Sequence, residues 1–269
     1  MAQIERNTRK IIEDLPASLA APAFAKIFGT ITPGENIFAK ADWLDAEPGA
    51  RLPVVLFSTF GKEVLEAVET HAERIVELAE GNGVQSLKTI IGQTVTEEEH
   101  ILFEKQLDEL CRSCWAFTNL EVAFQNAESF NQARQDRDRG NICSNFALDI
   151  PEDIEATADS VDEAALTEKL RSVLDLRHDP KLTAIDLSAT EEHPSSVMLI
   201  VRHGGDLSSV YVHTEEGSRQ SLYYRPQDEI TLIYTPAKRL IEVLGMSFGH
   251  RHELSNAFAE LVLGQNVSE

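Results

Sequence analysis

The spacing of apolar residues changes once along this chain. Before Pro180 it follows helical steps of three and four, and beyond Pro180 it alternates, so two kinds of layer are expected rather than one repeated motif. Ile4, Ile11, Ile12 and Leu15 predict an amphipathic helix stopped by Pro16, because proline cannot continue the helical bonding ladder. Leu19 to Phe28 predict a second, short helix. Thr32-Pro33-Gly34 and Glu47-Pro48-Gly49 punctuate irregular connections.

Val64, Val68, Ile75 and Ala79 share one face of a third helix, Glu66, Glu69, Glu73, Glu77 and Glu80 fall mostly elsewhere, and Gly81 reads as its stop. Thr96-Glu97-Glu98-Glu99 has the capping-box pattern, in which a threonine oxygen and a glutamate satisfy otherwise orphaned amides. Phe103, Leu107, Leu110, Cys114, Phe117, Leu120 and Phe124 then recur as a core stripe, with Arg134, Arg137 and Arg139 near the negative end of the helix dipole before Gly140. Unbroken, that helix would be roughly 60 Å long, and a break near Thr118-Asn119 is the other reading. The acids from Glu152 to Glu163 read as a linker. Ser160-Val161-Asp162-Glu163 repeats the capping-box pattern ahead of the apolar stripe Leu166, Leu170, Val173 and Leu174.

Alternation predicts strands at Leu182 to Leu187, Val197 to Arg202, Ser209 to His213, Ser221 to Arg225, Glu229 to Tyr234 and Leu240 to Leu244. Gly204-Gly205, Glu216-Gly217, Arg225-Pro226 and Thr235-Pro236 separate them, and links this short imply an antiparallel arrangement. Leu254, Phe258, Leu261 and Val262 give a closing helix one apolar face. The expected fold is α+β: an N-terminal helical region followed by an antiparallel meander of five to six strands, capped by a C-terminal helix. The expected division is a helical region at 1–150, an acidic linker and short helix at 151–180, and the sheet with its helix at 181–269.

Composition narrows the partners. The 269 residues carry 24 Lys plus Arg against 45 Asp plus Glu, and the net charge of -21 repels nucleic acid and anionic membrane at long range. Most of that excess precedes Val201. The first residues, MAQIERNTRKIIEDLP, carry charges throughout and resemble neither a secretory signal nor a membrane span, so no membrane association and a cytoplasmic location are expected. Cys111, Cys114 and Cys143 are then expected as reduced thiols, and the Asn266-Val267-Ser268 sequon as unused. Solenoid repeats and low-complexity tracts are absent from the sequence.

Candidate chemistry gathers late in the chain. Arg202-His203-Gly204, at the end of an apolar strand, resembles the Arg-His-Gly triplet of histidine phosphatases. The resemblance implies a phosphoesterase in which His203 is the phosphorylated nucleophile and Arg202 binds phosphate. It covers three residues, and the chain after Gly205 is too short and too β-rich to supply the rest of that family's large α/β domain. A broader set, Arg202, His203, His213, Tyr223, Arg225, His250 and His252, could bind phosphate, a nucleotide or single-stranded nucleic acid by stacking and charge. The competing reading of these residues is solvated side chains on the outer face of a sheet.

Metal chemistry lacks its ligand set. His250-Arg251-His252 and Cys111-Arg112-Ser113-Cys114 each offer two ligands without a second pair, and zinc needs three or four. The CxxC also falls inside an apolar helical stripe beside Trp115, where thiols act as small hydrophobes. Nucleotide-loop, nucleophile-elbow and metalloprotease patterns are absent, so no cofactor or metal is expected. The leading expectation is a non-catalytic interaction or regulatory protein acting through protein-protein contacts, with another protein or a second copy as partner. The alternative is a ligand- or nucleic-acid-binding module on the Arg, His and Tyr set, with a phosphoesterase third.

Overall fold

A computed structural model describes residues 4–31, 36–40, 43, 47, 49–137, 142–149, 154–190, 193–213, 217–245 and 248–265. The turn at Thr32-Pro33-Gly34, Arg139-Gly140, Glu152 in the acidic stretch, Glu216 and the Asn266 sequon lie outside the described residues. The chain divides into two compact units, Met1–Asn131 and Gln132–Glu269.

In the first unit, helix α1 (Arg6–Asp14) ends just ahead of Pro16, as the ring of that proline requires. Its start is capped from a distance. The amides of Asn7 and Thr8 and the Thr8 hydroxyl all donate to the Glu69 carboxylate, which satisfies orphan donors and places negative charge at the positive helix end. Helix α2 (Ala17–Ile31) continues through Pro22 and buries Phe24, Ile27 and Phe28. Phe24 meets Phe57 edge to face at 4.8 Å, and Phe38 joins both rings, forming an aromatic core under a 3-10 turn at Val54–Thr59.

Helix α3 (Lys62–Glu77) buries the expected stripe at Val68 and Ile75. Helix α3 ends at Glu77, shortly before Gly81. With φ at +51° Gly81 opens a further helix, α4 (Gly81–Thr94), that the apolar spacing did not indicate. A side chain at Gly83 would overlap the Glu77 carbonyl, so the turn between α3 and α4 requires glycine there.

The long helix after Thr96 is broken twice. Thr96 and Glu99 form the expected capping box of α5 (Glu97–Glu104). Asp108 then caps α6 (Glu109–Asn119) by accepting from the Cys111 amide at 2.8 Å, and a second break at Leu120 precedes α7 (Glu121–Asp136). The break near Thr118-Asn119 is therefore the better of the two sequence readings. Leu107 falls in the first break and is 87% exposed, which corrects its placement in the core stripe. Phe103, Cys114, Phe117 and Phe124 remain buried.

The second unit holds the sheet. Its five strands run in the order β1-β7-β6-β3-β2, antiparallel throughout: β1 (Cys143–Ala147), β2 (Lys181–Leu187), β3 (Ser196–Gly204), β6 (Gln227–Thr235) and β7 (Leu240–Leu244). The remaining two strands, β4 (Ser208–His213) and β5 (Arg219–Tyr224), leave the sheet as a separate two-stranded hairpin. N-terminal helices, antiparallel sheet and closing helix therefore appear as the sequence pattern implied. The meander is interrupted, because β3 pairs with β6 and β1 adds an unanticipated edge strand beside β7.

Helix α8 (Glu163–Val173) and helix α9 (Phe248–Val262) pack on each other and on one sheet face, where Leu166, Leu170, Leu199, Leu232, Val243, Leu254 and Phe258 share a core. The α8 cap is Asp162, which accepts from the Ala165 amide, while Ser160 closes a box with Thr157 around a 3-10 turn. The second capping box thus lies one turn earlier than its spacing suggested. The Tyr234 hydroxyl donates to the Ile154 carbonyl at 2.7 Å, tying the acidic stretch to the sheet. Alternate positions such as Met198 and Ile200 are also buried, so the sheet offers little open face.

Candidate functional site

The residues singled out from sequence occupy three places. Arg202 and His203 end β3, where the strand period sends them to opposite faces. Arg202 faces Glu229 in the β3–β6 register, and its Nε donates to the glutamate at 2.7 Å. His203 is buried, with Nδ1 3.2 Å from the Gly204 carbonyl and Asp228 opposite in register. Arg225 reaches back from the end of the hairpin to the Gly205 carbonyl at 3.0 Å. Gly205 itself donates to the Pro226 carbonyl at 2.7 Å, and a side chain there would run into Asp228. Arg202, His203 and Arg225 thus lie near the hairpin root, each with its own local contact.

His250 and His252 lie on α9. The His252 ring stands 5.8 Å from that of Phe146 on β1, and its Nδ1 is 3.2 Å from the Asn256 amide nitrogen. They do not join the first group. Among the described residues, no set of three or more His, Cys, Asp or Glu side chains is placed to hold a metal ion.

Tyr223 and His213 belong to the hairpin. The register opposes Ser209 to Tyr223, Tyr211 to Ser221 and His213 to Arg219, so Tyr211, Tyr223 and Arg219 share one face by the strand period of two. On that face Arg219 sits over the Tyr211 ring at 3.3 Å, a cation-π contact. The other face pairs Val210 with Leu222 and Ser208 with Tyr224, and also carries Val212. Tyr211 and Tyr223 are 65% and 66% exposed, and every side chain of β5 faces solvent. The tyrosines were visible in the sequence. Their placement off the main sheet was not, since alternation alone does not say which strands pair.

A cluster in the first unit escaped sequence reasoning altogether. Lys26, Ile27 and Thr30 from α2, His71 and Arg74 from α3, Phe117 from α6, and Glu121, Phe124 and Gln125 from α7 line a small, solvent-open pocket. Arg74 makes a two-pronged pair with Glu128 at 2.6 and 2.7 Å, and its Nη1 lies 3.1 Å from His71 Nδ1. Lys26 donates to the Phe117 carbonyl at 2.8 Å and pairs with Glu121 at 3.0 Å. Both cations stand over the Phe117 ring. Burial, followed by the Arg74 charge, holds the His71 pKa below its usual value, while Glu128 pulls the other way. These residues are far apart in sequence and form no motif.

The CxxC pair is buried on α6. Burial pushes the Cys111 thiol up to about 11 and raises Cys114 further, and Cys111, Cys114 and Cys143 are buried outside any disulfide. Comparison with protein-family models, curated proteins and solved structures returns no match.

Proposed function

We propose that this protein is a non-catalytic interaction protein working through protein-protein contacts, with the β4–β5 hairpin as its contact element. One observation carries the reading: a two-stranded ribbon separate from the main sheet, with Val210, Val212, Leu222 and Tyr224 exposed on one face and Tyr211 and Tyr223 on the other. Such a ribbon is marginally stable alone in water, and both of its strands have an open edge. Exposed aromatic and aliphatic groups at such an element favour a protein that adds a strand or covers the apolar face. Its charge also fits that use, since the two strands contain no Asp or Glu in a chain of net charge -21.

A photo-crosslinking residue at Tyr223 tests this in cells. The expected result is one defined protein adduct that disappears when Leu222→Asp is added. Adducts no different from those at an exposed helical control position such as Glu73 would overturn it.

The second reading, binding of a nucleotide or single-stranded nucleic acid, draws on the Arg219 guanidinium over Tyr211. Oligonucleotide binding that weakens steeply with salt and is lost in Tyr211→Ala would favour it. A phosphoesterase has least support, because Glu229 already pairs with the guanidinium that would hold phosphate.

A further inference from the structure

We infer that the pocket between Lys26, Arg74 and Phe117 is a binding site for a small organic carboxylate with an apolar body. The site is independent of the hairpin.

The donor inventory points to an anion. A guanidinium has five N–H groups. Arg74 uses Nε and Nη2 on Glu128 and Nη1 on His71, which leaves one N–H on each of two neighbouring terminal nitrogens. That pair suits the two oxygens of a planar carboxylate. Lys26 has committed two of its three N–H groups, one to the Phe117 carbonyl and one to Glu121. His71 accepts from Arg74 through Nδ1, so in its neutral form the proton sits on Nε2, a further donor in the lining.

Lys26 pairs with Glu121 and Arg74 with Glu128, so the formal charges balance and the case for an anion rests on the remaining N–H donors. Phe117 and Phe124 supply the apolar wall. Inorganic anions would meet the N–H donors but leave that wall unused.

The test is titration of the whole protein with benzoate, followed through the His71 ring signals by NMR. Inorganic phosphate and benzylamine serve as comparisons. Benzoate is expected to shift the His71 signals saturably and to raise the pH at which the ring titrates, because an anion beside it favours the imidazolium. Lys26→Gln is expected to weaken binding at least about tenfold, and so is Arg74→Lys, which keeps the charge but loses the fork. Benzylamine is expected to leave the signals unmoved. Absence of a saturable shift, or one unchanged in both folded variants, would overturn the site. An equal response to phosphate or benzylamine would overturn the ligand class.

Discussion

Arg202 and Glu229 face each other across the β3–β6 ladder at 2.7 Å, and the arginine side chain is only 10% exposed. The triplet that resembles a phosphatase signature therefore serves the sheet. Glu229→Ala is expected to cost about 2 to 4 kcal/mol, at or below the usual cost of breaking a buried pair because the glutamate keeps some contact with water. Replacing both residues together, Arg202→Met with Glu229→Leu, is expected to recover much of that loss. Urea midpoints of the three proteins check the ordering. A phosphomonoester screen of the native chain is expected to show no turnover.

Two residues of one apparent stripe should behave differently. Phe117 is buried, and Phe117→Ala is expected to cost about 3 to 5 kcal/mol through the cavity it leaves. Leu107 is 87% exposed, so Leu107→Ala should stay within about 0.5 kcal/mol of the parent. Thermal or chemical unfolding of each variant separates the outcomes.

The difference between these residues shows where the sequence was legible. Helical spacing located α3, the capping box of α5 and most of the core, because an amphipathic face and a cap leave local marks. It ran through Leu107, since a helix and a short turn capped by Asp108 give the same count of residues between Phe103 and Leu110. Helix α4 begins Gly81-Asn82-Gly83, which are poor helix formers held by close packing on α3. For the candidate sites, residue types were visible but their grouping was not. The His71 pocket depends on four helices meeting, and the exposed hairpin on a change of strand partner.

The hairpin should be removable. Gly204 and Gln227 are already partners in the β3–β6 ladder, so replacing 205–226 with Asn-Gly would join these strands by a short turn of the favoured type. We expect the sheet to keep its far-ultraviolet spectrum and its melting point to fall by no more than about 5 °C. Loss of cooperative unfolding would mean that the hairpin supports the sheet.

Two titrations set pH limits on the helical unit. The lowered pKa of His71 means the folded state binds fewer protons there than the unfolded state. Its contribution is present above the unfolded value of about 6.5 and is lost as pH falls below it. His71→Asn should flatten the loss of stability between about pH 7.5 and pH 5. The raised thiols act at the other end: their contribution is present below the unfolded value of about 8.5 and is lost as pH rises through it. Labelling with a thiol reagent at neutral pH should be slow in the folded protein and rapid after denaturation.

The pairing of β1 with β7 also sets an order on folding. Cys143 finds its partner at Leu244, near the opposite end of the second unit, whereas β4 and β5 are joined by only five residues. Closing so long a loop is slow relative to a hairpin. As the chain leaves the ribosome, β1 emerges long before β7, the strand that pairs with it, and through that interval its edge is open to mispairing with another nascent chain.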